Sequence, residues 1–103
     1  MDVLIVYFYD HYADRWQYSG IVNNEEVCYG FIERAVGSRD MGIATVSGIC
    51  QIKGTKIFKG GQYDYKYDEF WANCESYNQA LMCKLIKELF SDDITILNII
   101  NLN

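Results

Sequence analysis

An unbroken apolar run near the start of the chain constrains the fold more than any other feature of the sequence. Residues 3–9 read Val-Leu-Ile-Val-Tyr-Phe-Tyr, a run rich in β-branched and aromatic side chains. Apolar residues on both alternating faces of a strand are typical of the centre of a sheet that is covered on both sides. The run therefore predicts a central strand around which the rest of the chain is organised.

The segment that follows predicts a hairpin partner for this strand. Residues 10–14 are polar and predict a turn, and residues 15–22 alternate between aromatic residues (Trp16, Tyr18) and polar ones (Gln17, Ser19). Such alternation is typical of a strand with one face turned to the core. The first two elements are thus expected to be antiparallel strands.

The next segment is open to two interpretations. Asn24 followed by two glutamates is typical of a helix N-cap, and an apolar stripe over residues 27–36 ends at Gly37, which suits a C-cap. We therefore expect a three-turn helix here. The alternative is a hairpin that turns at Asn23-Asn24 and makes residues 27–32 a strand.

Two further strands and a tight turn are predicted in the middle of the chain. Met41 to Ile52 is β-branched and carries two glycines, which predicts a strand with a bulge. Gly60-Gly61 is a strong two-residue turn signal between residues 56–59 and 63–67, so we expect a hairpin there.

The C-terminal third predicts the longest helix and a last strand. Apolar residues recur at helical spacing from Phe70 to Phe90, and residues 94–100 are apolar on both alternating faces. Nothing divides the chain, so residues 1–103 are expected to form one α+β domain. Its predicted architecture is a mixed, mostly antiparallel sheet of about five to six strands, with one long C-terminal helix and one shorter helix.

Residues 62–78 carry the strongest chemical signature of the chain. They hold four of its nine tyrosines, Phe70, Trp71 and four carboxylates around a single lysine. Rings give a large contact area at low entropic cost, and carboxylates add a negative field, so this composition favours a recognition surface. The alternative is that the tyrosines line the buried face of a strand. The predicted partner-binding residues are Tyr63, Asp64, Tyr65, Asp68, Glu69 and Trp71.

Signs of catalysis are few. His11 is the single histidine, and Asp10 and Asp14 beside it could form an acid–base or metal pair, although a polar turn has the same composition. No glycine-rich phosphate loop occurs, so we expect no nucleotide cofactor. We assign no catalytic residue and no metal ligand, and expect a protein that is not an enzyme.

The enzyme alternative is a metal-dependent nuclease. Asp10 at the end of a strand, Glu75 in the long helix and Asp92 or Asp93 could converge on divalent cations. This arrangement resembles ribonuclease-H-like folds, in which a strand aspartate and a helix glutamate meet an aspartate on the following strand. Here that strand carries Thr95 and Asn98 and has no acid.

Charge and residue usage favour a binding protein. The net charge of −5 disfavours direct binding of nucleic acid and favours a protein partner with a basic surface. Isoleucine, asparagine, tyrosine and lysine, which AT-rich codons encode, make up about a third of the chain, as is common in phages and mobile elements. We therefore expect a small inhibitor of the anti-CRISPR type, which mimics nucleic acid locally and occupies a host defence protein.

Two further expectations concern location and assembly. The N-terminal apolar run follows an acid and lacks a cleavage site, no stretch is long enough for a membrane span, and Cys83 is expected on the polar side of the long helix. These features predict a cytoplasmic protein, in the host cytoplasm if a phage encodes it. Strands that are apolar on both faces could instead pair across a two-fold axis, in a structural homodimer.

Overall fold

The computed structural model describes residues 1–34, 43–54, 57–66, 75–91 and 93–103, with the backbone alone at Arg34, 43–49 and 59–66. These residues form six strands and one helix. The strands are β1 (Asp2–Asp10), β2 (Arg15–Val22), β3 (Glu25–Arg34), β4 (Ile43–Ile52), β5 (Ile57–Lys66) and β6 (Thr95–Asn101), and the helix α1 (Glu75–Leu89) precedes β6.

The strands form one mixed sheet in the order β5-β4-β3-β2-β1-β6. Strands β1 to β5 follow one another as an antiparallel meander, whereas β6 returns through α1 and pairs in parallel with β1. A parallel return needs a crossover connection, and α1 lies in that connection. The expected mixed, mostly antiparallel sheet is confirmed, and the described part of the chain is mostly sheet.

The expected shorter helix after Asn24 is wrong, because residues 25–34 form β3 and the hairpin alternative holds. Asn23 and Asn24 have φ of 51° and 66°. Two successive residues in the left-handed region are what a type I′ hairpin turn requires, and asparagine tolerates that region better than other non-glycine residues. The asparagine pair therefore sets the turn, and the two glutamates begin a strand.

The expected hairpin at Gly60-Gly61 is also wrong. Strand β5 runs through both glycines without a turn, and its register against β4 shifts between the Ser47–Gln62 and Ile49–Lys59 pairs. The two glycines therefore lie at a β-bulge, the other role that glycine plays inside a strand. Strand β4 ends at Ile52, and β5 begins at Ile57 antiparallel to it.

The core lies between α1 and one face of the sheet. The helix turns its apolar stripe towards this face, and its first turn carries Glu75 and its last turn Lys87, in accord with the helix dipole. The expected long helix is confirmed from Glu75 onward, and its predicted first residues lie outside the described ones. The buried apolar residues are Val3, Ile5, Tyr7, Tyr18, Cys28, Ile32, Cys50, Leu81, Met82, Leu85, Ile86 and Leu89.

Gly20 lets the helix approach β2 closely. A Cβ atom at this position would lie 2.6 Å from Cys28 Sγ, 3.2 Å from Val3 Cγ1 and 3.7 Å from Ile86 Cδ1. The space that a side chain would fill is thus occupied by atoms of two neighbouring strands and of α1. A glycine here is a packing requirement of the core.

The thiols of the described cysteines are buried or half-buried. Cys28 and Cys50 are buried and hydrogen-bonded to each other, which raises the pKa of Cys50. Cys83 is half-buried against the core, and burial raises the pKa of its thiol. The expected exposed position of Cys83 is therefore wrong.

The described helix covers the sheet on one side. Val3, Ile5 and Tyr7 of β1 point under α1 and have no exposed area, whereas Phe8 on the opposite face is 37% exposed. Among the described elements, α1 thus covers β1 on one side, whereas the apolar run of β1 predicted cover on both sides. Strand β6, also apolar on both faces, is an edge strand.

Candidate functional site

The predicted partner-binding residues fall at the end of β5 and beyond it. Tyr63, Asp64 and Tyr65 pair with Val46, Thr45 and Ala44 of β4, and their backbones continue the ladder after the bulge. Asp68, Glu69 and Trp71 lie outside the described residues. The recognition surface that these six residues define therefore stays a prediction.

The acidic residues of the nuclease alternative lie at different ends of the sheet. Asp10 ends β1, whereas the backbone of Asp93 accepts a hydrogen bond from the amino group of Met1, at the other end of the same strand. A strand of nine residues separates them by roughly 25–30 Å. Asp92 lies outside the described residues, and among the described ones no three His, Cys, Asp or Glu side chains group as metal ligands do.

Asp10 and Asp14 serve the turn after β1. One carboxylate oxygen of Asp10 accepts the amides of Tyr12 and Ala13 at 3.0 and 3.1 Å, and the other accepts Gln17 Nε2 at 2.7 Å. Asp14 accepts the hydroxyl of Tyr9, whose ring packs edge-on against His11 at 4.9 Å. These contacts match the turn interpretation of the motif, since each carboxylate is a hydrogen-bond acceptor of neighbouring groups.

Glu75, which the nuclease alternative places with Asp10, instead contacts a phenol of β1 and an amide of β6. Tyr7 donates its hydroxyl to Glu75, and Asn101 Nδ2 donates to the same carboxylate oxygen at 2.9 Å. Gln79 Nε2 donates to the Tyr7 hydroxyl at 2.7 Å. The hydrogen bond from Tyr7 lowers the pKa of Glu75. The pKa of Tyr7 is raised, mainly by burial and also by its hydrogen bond to Glu75. A neutral phenol and an amide here hold one ionised carboxylate at the start of α1.

The side of the sheet opposite α1 combines exposed rings with polar groups. Phe8, Tyr29, Ile100 and Leu102 are 37%, 44%, 39% and 60% exposed on it. A shallow groove of about 340 Å³ is lined by Phe8, Tyr29 and Leu102 and floored by β1, β2 and β3. We call this surface the open face and define it by Val6, Phe8, Gln17, Ser19, Glu26, Tyr29, Phe31, Ile100 and Leu102.

Three described acidic residues lie on the open face. Glu26 lies in the groove and accepts the hydroxyl of Ser19 at 2.8 Å. Alternation along the strands places Asp10 and Glu33 on the same side. Lys84 and Lys87 lie on α1, on the other side of the sheet. The open face therefore offers rings beside carboxylates.

One basic group on this side, Arg15, is engaged locally. The guanidinium of Arg15 lies over the ring of Phe31, 4.2 Å from its centroid. A cation in this position is attracted to the π-face of the ring. Tyr29 in turn donates its hydroxyl to Gln51 of β4. These contacts fix the orientation of both rings, which reduces the entropy that binding would cost.

The open face was not predicted from the sequence, although one signal for it was present. The alternation in residues 15–22 places Gln17 and Ser19 opposite the side of Trp16 and Tyr18, and the structure confirms this. Tyr29 and Phe31 were missed because residues 27–36 were expected to be helical. A strand interpretation would have placed both rings beside Gln17 and Ser19.

Comparison with known proteins adds no relative: no family model, no curated protein and no solved structure matches this chain. The function must therefore be argued from the surface itself.

In the part of the chain that the structure describes, no helix has both the length and the apolar character that crossing a membrane requires.

Proposed function

We propose that this protein is a small acidic binding protein that inhibits a host defence protein by occupying its basic, nucleic-acid-handling surface. In this proposal it is encoded by a phage or mobile element, acts in the host cytoplasm and is of the anti-CRISPR type. The observation that carries the proposal is the open face, where Phe8 and Tyr29 stand exposed beside the carboxylate of Glu26.

The physical basis is complementarity with a surface that binds single-stranded or guide nucleic acid. Such surfaces combine positive charge, which follows the phosphates, with aromatic or apolar platforms on which bases stack. Carboxylates can occupy the positions of phosphates, and exposed rings can occupy those of bases. The open face offers both groups on a rigid sheet, and the net charge of −5 favours approach to a basic partner.

The surface predicted at residues 63–71 forms the second part of the proposal. Its tyrosines and acids follow the bulge in β5, at the end of the meander that carries the open face. Tyr63, Asp64, Tyr65, Asp68, Glu69 and Trp71 would then extend the contact beyond the open face. Separate variants of the two surfaces can measure the contribution of each.

The test is whether the protein protects a phage from an active RNA-guided nuclease in the infected bacteria. Cells that express the protein are challenged with a targeted phage, across a panel of such nucleases, and each purified guide-loaded nuclease is assayed for binding of its target DNA. We expect the protein to restore plaques and block DNA binding for at least one nuclease. If it protects no phage and blocks no nuclease in the panel, the anti-CRISPR assignment is wrong.

Charge reversal on the open face tests how the inhibition works. Glu26→Lys combined with Tyr29→Ala should weaken binding to the inhibited nuclease by about 2 kcal/mol or more, roughly thirtyfold, because it removes a ring and inverts a charge at once. Glu88→Lys on α1 is the matched control and should inhibit like the parent. Tyr65→Ala combined with Asp68→Lys and Glu69→Lys tests the second surface. Full inhibition by both surface variants would contradict the proposal.

A further inference from the structure

The two edges of the sheet differ in how they are protected against pairing with another strand. Strand β5 carries Lys59, Asp64 and Lys66 in its sequence and a bulge at its two glycines, which are devices that natural edge strands use to avoid pairing. Strand β6 reads Thr-Ile-Leu-Asn-Ile-Ile-Asn and has no charged residue and no proline. The edge at β6 therefore lacks the protection that the edge at β5 has.

The backbone of β6 directs part of its hydrogen-bonding groups away from the sheet. The amide of Leu102 donates to the carbonyl of Tyr7 at 2.8 Å, so alternate amides from Ile100 onward point towards β1. The amides of Ile99 and Asn101 point outward. Ile99 N donates to Oδ1 of the adjacent Asn98 at 2.9 Å, a local bond that a pairing strand can replace. Among the described residues, no strand pairs with this side of β6.

Apolar side chains accompany this edge on both faces of the sheet. Ile100 and Leu102 are 39% and 60% exposed on the open face, and Leu97 is 61% exposed at a register shift. On the helix side, Ile96 and Ile99 pack against the core and remain partly exposed. A strand added beyond β6 would bury apolar area on both faces at once, which is the main driving force for association.

We propose that β6 pairs with β6 of a second copy of this chain, antiparallel and about a two-fold axis perpendicular to the sheet. The pairing joins the two sheets into one and keeps both helices on the same side. Strand β6 is uncharged, so its self-pairing opposes no like charges, whereas a basic partner gains no charge attraction from it. Antiparallel pairing also places Asp93, which precedes β6 in the chain, at opposite ends in the two copies.

The geometry limits the size and number of these contacts. The bulge at Leu97 interrupts the edge, so the paired segment begins at Asn98. One short strand pair is a small interface, and the dimer is therefore expected to depend on concentration. Because β5 carries charges and a bulge, the joined sheet ends there and association stops at the dimer.

The test is the molar mass in solution, measured by sedimentation velocity over a wide range of concentration. The natural chain should move from 12.0 kDa towards twice that mass as its concentration rises. Ile100→Lys should weaken the dimer about tenfold or more, because it places like charges against each other across the axis. Ile57→Lys at the other edge, where the side chain is 65% exposed, is the matched control and should dimerise like the natural chain.

Two further measurements keep the proposal falsifiable if one variant is poorly folded. Leu102→Lys is a second variant at the same edge and should also weaken the dimer. Hydrogen exchange at the amides of Ile99 and Asn101 should slow as the concentration rises. A chain that stays at 12.0 kDa at every concentration would overturn the proposal. Dimerisation that survives Ile100→Lys and is lost in Ile57→Lys would overturn the choice of edge. These outcomes do not depend on the proposed inhibition, which is assayed by protection of phage.

Discussion

The two faces of the sheet are made from the same strands and have opposite properties. Tyr18 on β2 is 2% exposed under α1, whereas Tyr29 on the neighbouring β3 is 44% exposed on the open face. On the helix side, the strands pack against aliphatic residues of α1. On the open face, rings and carboxylates are exposed to solvent. The strict alternation of a strand thus lets one small sheet separate the residues that stabilise it from those available to a partner.

The largest effect that this comparison predicts is the loss of a tyrosine on the helix side. Tyr18→Ala removes a buried ring from the core and also its hydrogen bond to the Cys50 thiol. The free energy of unfolding should fall by about 3–5 kcal/mol, the usual cost of replacing a buried aromatic residue by alanine. Urea denaturation followed by fluorescence measures this difference. A decrease in the free energy of unfolding as small as that for an exposed residue would show that α1 does not bury this face.

The sequence predicted the elements whose pattern has one structural interpretation. The apolar run at residues 3–9, the alternation at 15–22 and the helical stripe that ends in Leu89 each correspond to an observed element. Two short motifs that indicate turns or helix ends were ambiguous. Asn-Asn-Glu-Glu suits a helix N-cap as well as a type I′ turn, and Gly-Gly suits a turn as well as a bulge. Tertiary pairing with β2 and β4 decided both.

The candidate surface was harder to predict than the fold. Composition identified residues 62–78 as rich in rings and acids, but it carries no information on which strand face is covered. The open face depends on α1 lying on the other side of the sheet, and the meeting of Glu75 with Tyr7 joins residues 68 positions apart. Such contacts arise from topology, so local patterns could not have indicated them.

A smaller effect, on the helix side, should depend on pH. Because the bond from Tyr7 lowers the pKa of Glu75 below its ordinary value of 4.5, it stabilises the fold above that pH. The stabilisation is lost as the pH falls below 4.5 through the lowered pKa. Tyr7→Phe should therefore cost about 1 kcal/mol at neutral pH, and less at an acid pH below the lowered pKa of Glu75, where the carboxylate is protonated.

The control for this pH dependence comes from the open face. Tyr29→Phe removes a hydroxyl that donates to the neutral amide of Gln51, so its cost should be the same at both pH values. Chemical denaturation at the two pH values measures all four differences. An equal cost of Tyr7→Phe at both pH values would show that the ionised form of Glu75 is not the partner that matters.

The smallest effect on stability is expected for Tyr29→Ala, although its effect on function should be large. The side chain of Tyr29 is 44% exposed and contacts the groove and Gln51, so its removal leaves no cavity in the core. The free energy of unfolding should change by about 0.5 kcal/mol or less, as is usual for surface positions. Protection of phage should nevertheless decrease, because the ring belongs to the proposed contact. A variant that is markedly destabilised would show that the open face also carries the fold, and the separation of the two faces would then be wrong.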